Sequence, residues 1–225
     1  LSRPNPILSL SVLRALRQFQ AQIVHAQANK AAVVLSRLQR FLPAATVGTL
    51  HNIKRSTQAF QRLNHVITVS RQLAVPFAAL NHSVIYNGIN AAEWPPLDLH
   101  QQFELPPDRP VLLAAGRLVS AKGFDMLLDA VDGLPLSLLL VGDGPERDHL
   151  SRRIRQLAMT TQVRLLGHRT DVGALMAAAD GVLISSRREG FSYVFSEALM
   201  LGCPVLSTNV PVANEVLPAE LLTPV

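Results

Sequence analysis

The sequence predicts an α/β protein of doubly wound parallel sheets, and three observations carry that prediction. Short apolar runs of strand length alternate with periodic segments of helix length from residue 23 to residue 207. The glycines and charged residues that interrupt the pattern fall where strands end and helices begin, which is the edge at which open α/β sheets bind ligands. A proline-rich, aperiodic stretch over 87–110, with Pro95, Pro96, Pro106, Pro107 and Pro110, divides the alternation in two. The expected boundary lies at its start, giving domains 1–90 and 91–225.

In the first part, Ile7, Leu10, Leu13, Leu16 and Phe19 recur at helical spacing. A short strand over 23–25 follows, then a helix over 30–41 that Pro43 prevents from continuing, then a strand over 46–50. After a polar connection with Lys54 and Arg55 come strands over 65–69 and 83–85, and Asn87-Gly88 marks a turn. The second part alternates more cleanly. Strands are expected over 111–115, 136–141, 163–166, 182–184 and 205–207, with helices over 121–131, 146–157, 172–179 and 193–201 between them. Strands joined by helices of this length pair in parallel through right-handed crossovers, and a cleft between two such domains is the expected site.

Composition narrows the function. The 225 residues are 48% hydrophobic, enough for a real core, and contain no apolar run near the ~20 residues of a spanning helix. There are 21 Lys and Arg against 16 Asp and Glu, a net charge of +5 that suits anionic substrates or an anionic membrane face. Aromatics make up only 5%, poor material for stacking on bases along a strand, so nucleic acid is not the expected partner. The single cysteine, Cys203, excludes an intramolecular disulfide and reads as packing between a helix end and a strand.

The chemistry is concentrated at strand ends. Glu189 and Gly190 fall in the loop after the strand over 182–184, and Glu197 lies about one turn into the next helix, which Gly202 ends. From there Glu197 can point back toward the crevice of Glu189, and a carboxylate accepting two hydrogen bonds suits a vicinal diol such as a ribose. Arg117 leaves the strand over 111–115 beside Gly116, and Lys122 is expected in the first turn of the following helix, so that both cations converge on one anion such as a diphosphate. Gly142-Asp143-Gly144 opens another helix without the third glycine of a dinucleotide fingerprint. Gly167-His168-Arg169 closes a further strand, either offering backbone groups to a nucleobase or forming a plain loop. His25, His51 and Asn52 stand at strand ends in the first part. Taken singly, each of these also fits an ordinary solvated side chain. No P-loop, no Gly-x-Ser-x-Gly elbow and no metal-ligand spacing is present, so no metal or other cofactor is expected.

In order, Gly116-Arg117 with Lys122, the run from Gly142 to Pro145, the run from Val163 to Gly167, and Glu189 and Glu197 followed by Gly202-Cys203-Pro204-Val205 resemble the retaining GT-B glycosyltransferases known as group 1 or family 4. The resemblance is specific over 111–215 and looser over 23–89, where Val24-His25-Ala26, Thr49 to Asn52, Val69-Ser70 and Tyr86 to Ile89 carry it. It implies two Rossmann-like domains. The second grips a nucleotide diphosphate-sugar, which is substrate rather than cofactor, and the first receives a glycan or lipid-linked acceptor.

Carried over by position, Arg117 and Lys122 hold the diphosphate, and Glu197 binds the ribose. Glu189 sits against the donor sugar with the Gly190 and Phe191 backbone. Gly116 and Gly142 border the donor, Gly167 and His168 the base, and His51 takes the place of a first-domain histidine near the reaction centre. The implied enzyme works without metal in cell-envelope polysaccharide, lipopolysaccharide or glycolipid synthesis, in the cytoplasm or on the inner membrane face. The family's glycine-rich first loop has no counterpart before Ile7, and the family continues beyond the position of Val225. A fragment with an incomplete N-terminal domain is therefore expected, with turnover belonging to the longer chain. The rival readings are a nucleotide-sugar-binding homologue without transferase activity and, behind it, a nucleotide-sugar epimerase.

Overall fold

The computed structural model describes residues 6–90 and 92–225. The chain divides into two compact units, Leu1–Asn87 and Gly88–Val225. Both are parallel-sheet, Rossmann-like α/β units.

The first unit runs α1 (Pro6–Gln18), β1 (Ile23–Gln27), α2 (Ala28–Leu38), β2 (Ala45–Leu50), α3 (Gln58–Gln61), β3 (His65–Thr68), α4 (Arg71–Ala74) and β4 (His82–Val84). Its strands pair in parallel in the order β1-β2-β3-β4. The helix expected to reach residue 41 ends at Leu38 and tightens into a 3-10 turn over Gln39–Phe41, which closes the segment before Pro43. Ala32, Leu35 and Leu38 turn one face of α2 into the core.

The second unit contains α5 (Leu99–Phe103), β5 (Val111–Ala115), α6 (Phe124–Val131), β6 (Ser137–Val141), α7 (Arg147–Gln156), β7 (Val163–Gly167) and α8 (Val172–Ala178). It continues with β8 (Gly181–Ile184), α9 (Tyr193–Met200), β9 (Val205–Thr208), α10 (Ala213–Val216) and β10 (Leu222–Thr223). The sheet is parallel, in the order β10-β9-β8-β5-β6-β7. Every residue of β6 is buried, as expected for a parallel strand covered by helices on both faces. Leu138 and Leu140 belong to one core cluster with Leu128 of α6 and Leu150 and Ile154 of α7. The buried amide of Gln162 donates to Val131 O at 2.9 Å and Leu134 O at 3.0 Å, satisfying carbonyls at the end of α6.

From β5 the chain winds outward through β6 and β7, then returns to place β8 on the other side of β5. The carboxyl ends of β5 and β8 therefore flank the point where the winding reverses, which is where an open α/β sheet leaves a crevice for a ligand.

Two expectations need correction. The helix expected over 121–131 starts only at Phe124; Ser120–Lys122 is a 3-10 turn and Gly123 is left-handed, with φ 66°. A Cβ at Gly123 would lie 2.1 Å from the carbonyl oxygen of Ser185, so close approach to the β8 loop sets the break. Lys122 thus precedes α6 instead of occupying its first turn. The stretch over 87–110, expected to be a plain linker, holds α5, whose N-cap Asp98 accepts from Gln101 N at 3.0 Å. Leu99 and Leu105, both buried, anchor it from either side.

Candidate functional site at the sheet reversal

The loops after β5 and β8 are laced together. The backbone N–H groups of Arg187 and Arg188 donate to Ala121 O at 2.8 and 3.3 Å, and Ser185 Oγ donates to Lys122 O at 2.9 Å. Arg187 grips the carboxylate of Asp125, in the first turn of α6, with two bonds of 2.7 Å, and reaches Ser120 O at 2.9 Å. The guanidinium holds the Asp125 carboxyl below its ordinary range, chiefly by that hydrogen bond and partly against the cost of burial. On the other side of the loop, Ser192 caps α9, its Oγ accepting from Phe195 N at 3.4 Å.

Within this frame Lys122 Nζ donates to Glu189 Oε1, and Ser186 Oγ donates to the same oxygen at 2.7 Å. The Glu189 side chain is 9% exposed and that of Lys122 22%, so the pair is shielded from water more than an ordinary surface bridge. The end of the Lys122 side chain also runs against Gly116, where a Cβ would lie 3.3 Å from Lys122 Cε.

Beside the pair opens a cleft of about 720 Å³, lined by Gly116, Arg117, Gly142, Asp143, His168 and Glu197 among others. Its floor is a series of strand ends: Gly116 N donates to Val141 O at 2.9 Å, and Gly142 N to Gly167 O at 2.8 Å. A Cβ at Gly142, where φ is 138°, would fall 1.9 Å from Gly116 O, so only glycine lets these two turns stack. Arg117 is exposed, and its guanidinium has no hydrogen bond or ion pair among the described residues. Arg169, by contrast, is held by Asp171 through bonds of 2.8 and 2.5 Å. Glu197 comes from the second turn of α9, and burial pushes its carboxyl above the ordinary range.

Of the residues picked out from the sequence, Gly116, Arg117, Gly142, His168 and Glu197 line the cleft, and Gly167, Lys122, Glu189, Gly190 and Phe191 do not. Gly167 lies under Arg147, whose Nη1 would be 3.3 Å from a Cβ there. Phe191 is buried and stacks edge-on against Tyr193, with ring centroids 5.3 Å apart. Arg117 and Lys122, expected to converge on one anion, are divided between the cleft and Glu189. Charge pairing explains this, since the shielded carboxylate of Glu189 takes the nearest ammonium. The sequence reading did not single out Trp94, Asn90 and Gly173 in the cleft wall, which Arg169 of the Gly167-His168-Arg169 loop also lines. A lone tryptophan in a proline-rich stretch was the available signal.

In the first unit, Thr49 Oγ1 and Gln27 Nε2 both donate to His25 Nε2, at 2.7 and 3.3 Å, which leaves the proton of His25 on Nδ1. His51 Nε2 donates to Gln27 Oε1 at 2.8 Å, so its Nδ1 is the free nitrogen when the ring is neutral. Gln27 and His51 stand at the carboxyl ends of β1 and β2, whereas His25, expected at a strand end, lies in the middle of β1 because the strand runs on to Gln27. Among the described residues no group of three His, Cys, Asp or Glu is gathered as metal ligands, and no helix is long and apolar enough to cross a membrane.

The family profile described as Glycosyl transferases group 1 matches residues 97–220, which hold the Lys122–Glu189 pair and the cleft lining from Ala115 to Leu201, but not Asn90, Ala92 or Trp94. The lipopolysaccharide core biosynthesis glycosyltransferase LpsE of Rhizobium meliloti is 39% identical over 109 residues, 48% of this chain and 32% of that protein. LpsD of the same organism, also a lipopolysaccharide core biosynthesis glycosyltransferase, is 26% identical over 212 residues, 90% of this chain and 60% of that protein. The chain thus spans less than two thirds of the length of either relative. Among solved structures, Anabaena Alr3699/HepE in complex with UDP superposes with a TM-score of 0.83 at 28% identity, over 96% of this chain and 68% of that one. A profile match across more than half of the chain, over the segment that builds the sheet reversal and its cleft, makes the protein a member of the group 1 glycosyl transferase family.

Proposed function

We infer that this chain is the donor-binding portion of a GT-B transferase that moves a sugar from a nucleoside diphosphate-sugar to a glycan or lipid-linked acceptor with retention of configuration, as in family 4. The observation that carries the reading is the cleft at the sheet reversal, lined by Arg117, which has no partner among the described residues, by a partly desolvated Glu197 and by the glycine turns after β5 and β6. A leaving diphosphate develops charge that a guanidinium in the cleft wall offsets. Glu197 would accept from the ribose hydroxyls, and the His168 loop would border the base. Lys122 has three N–H donors, so one can stay on Glu189 while another reaches the diphosphate. Glu189, held by Lys122 and Ser186, would present negative charge beside the anomeric centre. His51 is assigned to the acceptor-side chemistry by resemblance alone.

A uridine donor is favoured by the relative of known structure, Anabaena Alr3699/HepE, which was also solved with UDP-glucose. The lipopolysaccharide core relatives support an envelope glycan as product, and the net charge of +5 suits work at an anionic membrane face on the cytoplasmic side. Metal plays no part in this reading. Calorimetric titration of the chain with UDP, GDP and ADP tests it: saturable binding of at least one is expected, and binding of none would defeat it.

A further inference from the structure

One wall of the cleft is Trp94, the only tryptophan in the chain. It lies outside any helix or strand, yet its indole has a built seat. A Cβ on Gly173, the second residue of α8, would lie 2.2 Å from Nε1, 2.4 Å from Cε2 and 2.7 Å from Cζ2 of the indole. The ring therefore rests directly on the α8 backbone, and any side chain at 173 would evict it. Trp94 still keeps 36% of its surface exposed, a large fraction for an aromatic with a seat of this closeness.

The position of that seat gives the ring a purpose. Gly116 and Arg117 follow β5, whereas α8 and its Gly173 follow β7, two strands further along at the sheet edge. Strand spacing puts these ends roughly 10 Å apart. One end of the cleft is cationic and lined by glycine backbone; the other offers Trp94 with Val172 and Thr170. A ribose separates a base from a diphosphate by a comparable span.

We propose that Trp94 is an affinity-determining residue, giving the nucleobase of a nucleoside diphosphate a stacking surface, and that Gly173 is the positioning residue that seats it. This rests on the reading of the cleft as a donor site and adds the recognition of the base to it. An indole face accepts any base, so it supplies affinity without choosing among bases.

The single tryptophan makes the test direct. UDP, GDP and ADP are titrated into the chain by calorimetry and by tryptophan emission, for the wild type, Trp94→Leu, Trp94→Phe and Gly173→Ala. Quenching of the wild-type emission on binding is expected. Trp94→Leu should weaken binding about ten-fold for each nucleotide that binds, the scale of losing one base stack, and Trp94→Phe should recover most of it. Gly173→Ala should shift the emission and weaken binding likewise, although alanine favours the helix. Equal affinity in wild type and Trp94→Leu, or a loss that Trp94→Phe does not recover, would overturn the inference and leave the donor-site reading standing. Absence of binding by all three nucleotides to the wild type would overturn both.

Discussion

Lys122 and Glu189 are bound to one another across 67 residues of sequence, one from the loop after β5 and the other from the loop after β8. These are the two strands between which the winding of the sheet reverses. The pair therefore ties the two loops together beside the crevice and holds a carboxylate that would otherwise be shielded and uncompensated. Removing either partner leaves the other with a desolvated charge.

A double-mutant cycle measures that dependence. Lys122→Met and Glu189→Gln should each lower the unfolding free energy by about 1–3 kcal/mol, and the double variant should lose clearly less than the sum. Denaturant melts of the four proteins provide the values. Strictly additive losses would mean that the two side chains do not sense each other in solution.

The Arg187–Asp125 bridge sets a pH dependence. Because the folded-state pKa of Asp125 is lowered from 3.8, the bridge contributes fully above that value and its contribution is lost as the pH falls through 3.8 toward the folded-state value. Asp125 keeps 39% of its side-chain surface exposed, and solvent screening holds the contribution to about 0.5–1 kcal/mol. Asp125→Asn should thus be less stable than wild type at pH 7 and equal to it near the acid limit. A difference that persisted unchanged through the acid range would contradict this assignment.

How far the sequence could be read follows from what each signal measures. Apolar runs report burial, so β5 to β9 and the helices between them were legible from periodicity, and the winding followed from their alternation. That Gly116, Arg117 and Glu197 face one crevice was legible because strand ends and helix starts can be located without coordinates. Gly123 was not legible as a helix break, since its left-handed turn answers to the Ser185 carbonyl, distant in sequence. The five residues of α5 are too few to show a period, and their stability comes from Asp98 and two buried leucines. Nor could sequence divide Arg117 from Lys122, because only proximity to Glu189 decides which cation is already occupied.

On the proposed reading the two glutamates should fail differently in the longer transferase. Glu197 in the cleft would hold the ribose equally in ground and transition states, so Glu197→Gln should mainly raise the donor KM. Glu189, proposed to face the anomeric centre, would act as positive charge develops there, and Glu189→Gln should then lower kcat more than it raises KM. Identical kinetic signatures would refute the division.

Chelation provides a separate check. On the proposed reading Arg117 and Lys122 offset the charge of the leaving diphosphate, so turnover by the longer transferase proposed above should persist in EDTA. Loss of activity that a divalent ion restores would show that the cations of the chain are insufficient.

Arg117 is proposed to meet a diphosphate in the cleft, and calorimetry of Arg117→Ala tests that contact. Since the guanidinium is exposed and unpaired among the described residues, the substitution should leave the melting temperature unchanged. It should weaken nucleoside diphosphate binding by about 1.5–3 kcal/mol, the value of a charged hydrogen bond. An affinity equal to that of the wild type would contradict the account.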